Sequence, residues 1–120
     1  MFTIIPIMNN LVTAPIVYPS GVGGFTAIYR DLGVYVELSW NAASISSGSI
    51  QYYVIDKRVV GDYQWDNVAI EIGLSYNDDL LSNSPTNYEY RIAAVSDLGV
   101  QSQLYAIATV STLGNERPQQ

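Results

Sequence analysis

The chain has 120 residues, a net charge of −6, and neither Cys nor His. This length is enough for one domain with a buried core that needs no disulfide or metal. Without Cys and His the usual nucleophile, general base and zinc ligands are missing, so we expect no enzyme and no cofactor. Five basic residues are too few to follow a phosphate backbone, and no apolar run is long enough to span a bilayer, so neither a nucleic acid nor a membrane is an expected partner.

Residues 1–18 are predicted to form an apolar N-terminal arm that binds a protein partner. Burying a large apolar side chain is worth about 1.5–3 kcal/mol, so such an arm is unfavourable in water. The run contains Pro6 and no Lys or Arg, which argues against a signal peptide. Residues 20–24, rich in Gly, predict a flexible joint after the arm, whereas in an alternative reading residues 13–17 begin the first strand. The partner-binding residues in the arm are Phe2, Ile4, Ile5, Ile7, Met8, Leu11 and Val12.

Alternation of apolar and polar residues predicts strands along the rest of the chain, and no segment shows a convincing helical period. Two turns share the same four residues, Asp-Leu-Gly-Val at 31–34 and 97–100, and in both we expect the Gly to adopt a positive φ. A long connection is predicted from Asp78 to Asn87. The predicted strands are 25–29, 34–40, 50–58, 64–68, 69–74, 88–96 and 103–112.

The strand at 88–96 places Tyr88, Tyr90, Ile92 and Ala94 on one face. This strand resembles strand F of fibronectin type III domains, and the strands that contain Trp40 and Tyr53 resemble strands B and C of that family. The resemblance implies an all-β fold, a seven-stranded antiparallel Greek-key sandwich over residues 19–113, with an N-terminal extension and a polar tail at 114–120. It also implies a tyrosine corner, in which the Tyr88 hydroxyl reaches backbone near residues 81–84. The implied structural core residues are Trp40, Tyr53, Tyr88, Tyr90 and Ile92.

Outward-facing aromatic residues have two readings. They supply large contact areas at low entropy cost, which suits a partner surface, but they also stabilise a sheet by cross-strand pairing. The candidates for a partner surface are Tyr35, Tyr52, Tyr63 and Trp65. The acidic run Asn77-Asp78-Asp79 lacks the spacing of a calcium loop, so we interpret it as a solvated loop that binds no metal.

The function expected from these features is non-enzymatic binding of protein surfaces within a larger assembly, either by self-assembly or on a virion shell or tail. An apolar arm on a small chain without Cys resembles the decoration and tail accessory proteins of phage virions, which implies location in a virion. The alternative is an adhesion or carbohydrate-binding module that uses exposed Tyr and Trp and is located outside the cell or at its surface.

Overall fold

The computed structural model describes residues 15–80 and 85–112. These residues form seven strands in two antiparallel sheets, which confirms the predicted sandwich. The first sheet has the order β1-β2-β5 and the second has the order β4-β3-β6-β7. The strands are β1 (Thr26–Arg30), β2 (Tyr35–Ser39), β3 (Ile50–Val59), β4 (Asp66–Glu71), β5 (Ser75–Asp79), β6 (Asn87–Ser96) and β7 (Ala106–Ser111).

The core lies between the two sheets, where the inward positions of β2, β3 and β6 meet. Period-two alternation explains which side chains are inside. Trp40 follows β2 and is 4% exposed, with its ring 5.6 Å from the ring of Tyr53 between centroids. Tyr88 is half-buried and packs against the core. The other buried apolar side chains of this core are Val22, Val36, Leu38, Ile55, Tyr90, Ile92, Ala94 and Val110.

The boundaries predicted for the middle of the chain are wrong. Residues 66–71 form one strand, β4, and no strand covers 69–74. The next strand, β5, occupies Ser75–Asp79, part of which was expected to be a loop. Its sequence is polar and lacks apolar alternation, although Tyr76 packs against the core and Asp78 is buried. Asp78 is tolerated inside the sandwich because its carboxylate has an ion-pair partner. A search for apolar periodicity does not detect a strand whose inward position is filled by a charged residue.

The two Asp-Leu-Gly-Val turns have different backbone conformations. Gly99 has a φ of 81°, as expected. In the first turn the expectation for Gly33 is wrong, since the residue with a positive φ there is Val34, at 55°. Such a conformation is unfavourable for a β-branched residue, and the hydrogen bond from Leu80 N–H to the Val34 carbonyl, at 3.0 Å, holds it in place.

The Gly-rich residues 20–24 are packed against the sandwich, so the expected flexible joint is wrong. Val22 is 7% exposed and belongs to the core. The Ser20 amide donates to the Ser44 carbonyl at 2.8 Å, and the Asn41 amide donates to the Gly23 carbonyl at 2.9 Å. These contacts attach the segment before β1 to the loop between β2 and β3. Detaching it would expose the Val22 side chain to water and break two backbone hydrogen bonds.

Two other expectations involve residues outside the described ranges. The seven partner-binding residues of the arm, from Phe2 to Val12, precede residue 15, and the backbone expected to accept the Tyr88 hydroxyl lies at 81–84. The described ranges include no helix that could span a bilayer.

Candidate interaction surfaces

The outer face of the four-stranded sheet carries a stack of aromatic rings and guanidinium groups. The Arg91 guanidinium carbon lies 4.6 Å from the centroid of the Trp65 ring and 4.0 Å from that of Tyr105. The Arg58 guanidinium carbon lies 4.2 Å from the Trp65 ring centroid. Arg58 and Arg91 project from neighbouring strands β3 and β6, so period-two alternation places both on this face. The Arg91 guanidinium therefore contacts both aromatic rings.

Carboxylates pair with both arginines of this stack. Arg91 Nε donates to Asp56 Oδ2 at 2.8 Å, and Arg58 Nε donates to Glu89 Oε1 at 2.7 Å. Asn67 Nδ2 donates to the other Asp56 oxygen at 3.2 Å. Asp56 is only 8% exposed, and these two donors supply the hydrogen bonds that a buried carboxylate needs.

The aromatic residues predicted to bind partners do not form one surface. Tyr35 lies on β2, in the three-stranded sheet, whereas Tyr52 lies on β3, in the other sheet. Both are half-buried, while Tyr63 is 97% exposed in the turn before β4. Trp65 is half-buried and stacked on the two arginines. For Trp65, this geometry fits stabilisation of the sheet better than an open platform for stacking a sugar.

Next to the stack, apolar residues occupy the outer face. Val54 pairs with Ile70 on one side and with Ala93 on the other, so the three side chains lie in a row across β4, β3 and β6. Ile70 is 62% exposed and Ile107, on the opposite edge strand, is 57% exposed. We name this row, Val54, Ile70 and Ala93, the apolar row. Of the three, Ala93 is fully buried and Val54 is half-buried, so Ile70 supplies the exposed apolar surface of the row. Large exposed apolar side chains that lie near one another are typical of protein interaction sites.

An ion pair also lies between the sheets, where residues 77–79 had been expected to form a solvated loop. Lys57 Nζ donates to Asp78 Oδ2 at 2.8 Å, and the Tyr90 hydroxyl donates to the same oxygen at 2.6 Å. The Lys57 ammonium lies 4.7 Å from the centroid of the Tyr88 ring. Lys57 and Tyr90 belong to the four-stranded sheet and Asp78 to the other, so this cluster joins the two sheets.

The buried phenol of this cluster is strongly perturbed. Burial, followed by the hydrogen bond to Asp78 and that residue's negative charge, raises the pKa of Tyr90 far above its ordinary value. A phenol held in its neutral form is a hydrogen-bond donor, which is a structural role here. Among the described residues, no three His, Cys, Asp or Glu side chains are grouped so that they would hold a metal ion.

A cavity of about 460 Å³ lies at one end of the sandwich. Its walls are residues 15–17, the loop between β2 and β3, and the turn between β6 and β7. Leu98, in that turn, is 85% exposed. The side chains that line the cavity are mostly apolar and include Ile16, Val17, Ile45, Leu98 and Val100.

No family model and no curated protein matches the chain. Among solved structures, it is similar to a mutant of FN3tt, with 26% identity, a TM-score of 0.65, and coverage of 81% of this chain and 98% of that one. An Fn3-like protein from Clostridium thermocellum is similar at 26% identity and a TM-score of 0.59, over 81% and 92% of the two chains. The twitchin kinase region from C. elegans is similar at 28% identity and a TM-score of 0.67, over 85% of this chain and 18% of that one.

This chain has the fibronectin type III fold. The likeness to a short part of the twitchin kinase region shows the same fold as one module of a longer protein. In this fibronectin type III sandwich, sequence reasoning missed the roles of Arg58 and Arg91. A signal was present, because Asp56 and Arg58 on β3 alternate in the same way as Glu89 and Arg91 on β6, and cross-strand charge pairs follow from that pattern once the register is known.

Proposed function

We propose that this domain is a non-enzymatic module that binds a protein surface through the outer face of its four-stranded sheet. The observation that carries the proposal is the exposed Ile70, which ends the apolar row beside the arginine–aromatic stack. Ile70 is 62% exposed at one end of the row, although a Val, Leu or Ile side chain gains about 1.5–3 kcal/mol when it is buried. A partner with an apolar surface would bury the exposed Ile70, Ile72 and Ile107.

The stack supports the same role, because it supplies a rigid, polar border to the apolar row. Arg58 and Arg91 are held by carboxylates and by aromatic rings, so little side-chain entropy remains to be lost when a partner binds. An apolar centre with a polar rim is the usual composition of a protein interface. The carbohydrate-binding alternative has less support, because two guanidinium groups lie against the Trp65 ring.

The finer proposal is that the assembly is a phage virion, in which the domain decorates the shell or belongs to the tail. Its support is the composition of the sequence: an apolar N-terminal segment on a small acidic chain without Cys. Location in a virion belongs to the same proposal. A captured partner that is a shell or tail protein would support it, and a partner of another class would contradict it.

The test compares substitutions at two exposed apolar side chains, Ile70 and Leu32. The full-length chain, an Ile70→Glu variant and a Leu32→Glu variant are immobilised and incubated with an extract of the source organism. Leu32 is 92% exposed and lies in the turn between β1 and β2, away from the outer face of the four-stranded sheet. We expect a partner identified by mass spectrometry to be lost with Ile70→Glu and retained with Leu32→Glu. Equal retention by both variants would contradict the proposed surface.

A further inference from the structure

The cavity at the end of the sandwich lies beside the point where the described chain begins. Pro15, Ile16 and Val17 form one of its walls, so residues 1–14 join the domain at its rim. The opposite wall contains Leu98 and Val100, from the turn between β6 and β7. Leu98 is 85% exposed, although its side chain faces an apolar recess of about 460 Å³.

We propose that this cavity receives the apolar residues 1–14 of a second copy of the chain, so that two copies exchange their N-terminal segments. The inference goes beyond the proposed function, because its partner is a second copy of the protein itself. It uses a different surface from the apolar row, so each can fail while the other holds.

The chemistry of the segment matches that of the cavity. Residues 1–14 contain no charged side chain and seven large apolar ones that were predicted to bind a partner. The lining is largely apolar, and its carboxylate, Asp97, accepts a hydrogen bond from the Ser49 amide at 3.4 Å. The segment can therefore enter the cavity without desolvating a charged side chain of its own. The segment is also long enough to reach from one copy to the cavity of a neighbouring copy, since fourteen fully extended residues span roughly 45–50 Å.

Symmetry favours a second copy as the source of the segment. The segment is covalently joined to the domain at the cavity, because Pro15 belongs to the cavity wall. A two-fold axis at that end of the sandwich brings the segment of each copy to the cavity of the other. Docking of the segment in the cavity of its own chain is the alternative, and the second experiment below tests it.

The first experiment uses the repeated turn as a matched control. Leu98 and Leu32 occupy the same position of the two Asp-Leu-Gly-Val turns and are 85% and 92% exposed. Sedimentation velocity of the full chain should show a dimer, with a dimerisation constant at least about tenfold weaker in Leu98→Asp and unchanged in Leu32→Asp. At concentrations low enough for the chain to be monomeric, both variants should melt close to the wild type, because neither side chain is in the core. A monomeric wild type, or equal effects of the two substitutions, would overturn the proposal.

The second experiment separates exchange between copies from docking within one copy. The chain contains no Cys, so introduced thiols have no competitors. Ile4, Ile7 and Leu11 are replaced by Cys one at a time in a chain that also carries Val100→Cys, and each full-length double variant is mildly oxidised. We expect a disulfide-linked dimer from at least one of them. A disulfide formed only within monomers, or no disulfide in any of the three, would overturn the proposal.

Failure of this inference is distinguishable from failure of the proposed function. Loss of the dimer in Ile70→Glu but not in Leu98→Asp would place self-association on the outer face and would overturn exchange through the cavity. Loss of the dimer in Leu98→Asp alone would support the exchange, whatever the partner captured by the apolar row.

Discussion

The space between the sheets and the outer face of the four-stranded sheet use the same kinds of side chain for different purposes. Between the sheets, Lys57 pairs with Asp78, and outside, Arg91 pairs with Asp56, both at 2.8 Å. The two pairs are similarly exposed, with side-chain values of 22% and 10% inside and 24% and 11% outside. Depth alone therefore does not distinguish them.

The difference lies in what each pair connects. Asp78 belongs to β5 and its two donors belong to the opposite sheet, so the inner pair holds one sheet to the other. Asp56 and Arg91 are register partners on adjacent strands of one sheet. The planar Arg91 guanidinium contacts two rings while it pairs, which a Lys ammonium does less well. Comparing the two regions shows that ion pairs of equal length need not contribute equally to the fold.

The two tryptophans provide the largest contrast. Trp40 is 4% exposed and packs against Phe25 and Tyr53, so Trp40→Ala leaves a cavity and should cost about 3–5 kcal/mol. Trp65→Ala removes contacts with two arginines and should cost only about 1–2 kcal/mol. Urea denaturation followed by circular dichroism measures both. A larger loss of stability in Trp65→Ala than in Trp40→Ala would contradict the assignment of Trp40 to the core and Trp65 to the outer face.

Removing one partner of the inner ion pair, between Lys57 and Asp78, should reduce stability almost as much as Trp40→Ala does. Asp78→Ala leaves the Lys57 ammonium unpaired between the sheets and should cost about 3–5 kcal/mol. Replacing both partners, by Lys57→Met with Asp78→Leu, should recover most of that loss, because no buried charge is then left uncompensated. Chemical denaturation of the single and double variants tests this. A single variant with wild-type stability would show that Asp78 is solvated, as the sequence had predicted.

The Tyr90 hydroxyl makes the inner cluster sensitive to alkaline pH. Its pKa is raised in the folded state, so the folded chain keeps a proton that the unfolded chain loses above about pH 10. Stability from this group is therefore complete below pH 10 and falls as the pH rises above it. Tyr90→Phe should cost about 1–2 kcal/mol at neutral pH and should make the decline between pH 10 and 12 shallower. Unfolding curves measured at neutral pH and between pH 10 and 12 give the free energy of unfolding of both chains. The same dependence of this free energy on pH in Tyr90→Phe and in the wild type would contradict the buried hydrogen bond.

On the outer face, the stability of the fold should depend on whether residue 91 is Arg or Lys. Arg91→Lys keeps the charge but loses the planar group that contacts both Trp65 and Tyr105, so we expect a loss of about 0.5–1.5 kcal/mol. Arg30→Lys, in the half-exposed pair with Glu37 on the other sheet, is the control and should change stability by less than about 0.5 kcal/mol. Thermal melts of the two variants suffice. Equal effects would mean that the rings do not contribute.

Local patterns predicted much of this fold correctly. The alternation along residues 34–40, 50–58 and 88–96 anticipated β2, β3 and β6, because a half-buried strand must alternate wherever it is. The prediction failed at β5, where Asp78 fills an inward position. A carboxylate is acceptable there only because Lys57, 21 residues earlier in the chain, is brought opposite to it. Similarly, Val34 adopts a positive φ in a turn whose sequence pointed to Gly33.

The candidate surfaces were harder to anticipate than the strands. The sequence indicated Trp65 as exposed, but only the register between β3 and β6 brings Arg58 and Arg91 under its ring. The segment at 20–24 reads as a flexible Gly-rich linker until Val22 is seen in the core. Neither feature has a local signature, since both depend on contacts between distant parts of the chain.

By itself, the amino-acid sequence determined the class of the fold, because side-chain periodicity and turn chemistry act over a few residues. It also determined that the chain has no thiol and no imidazole side chain. Tertiary structure decided where the charges lie, which rings are covered, and which apolar side chains remain open to a partner. Those properties depend on which strands become neighbours and in which register, and a shift of one residue would move every side chain of a strand to the opposite face.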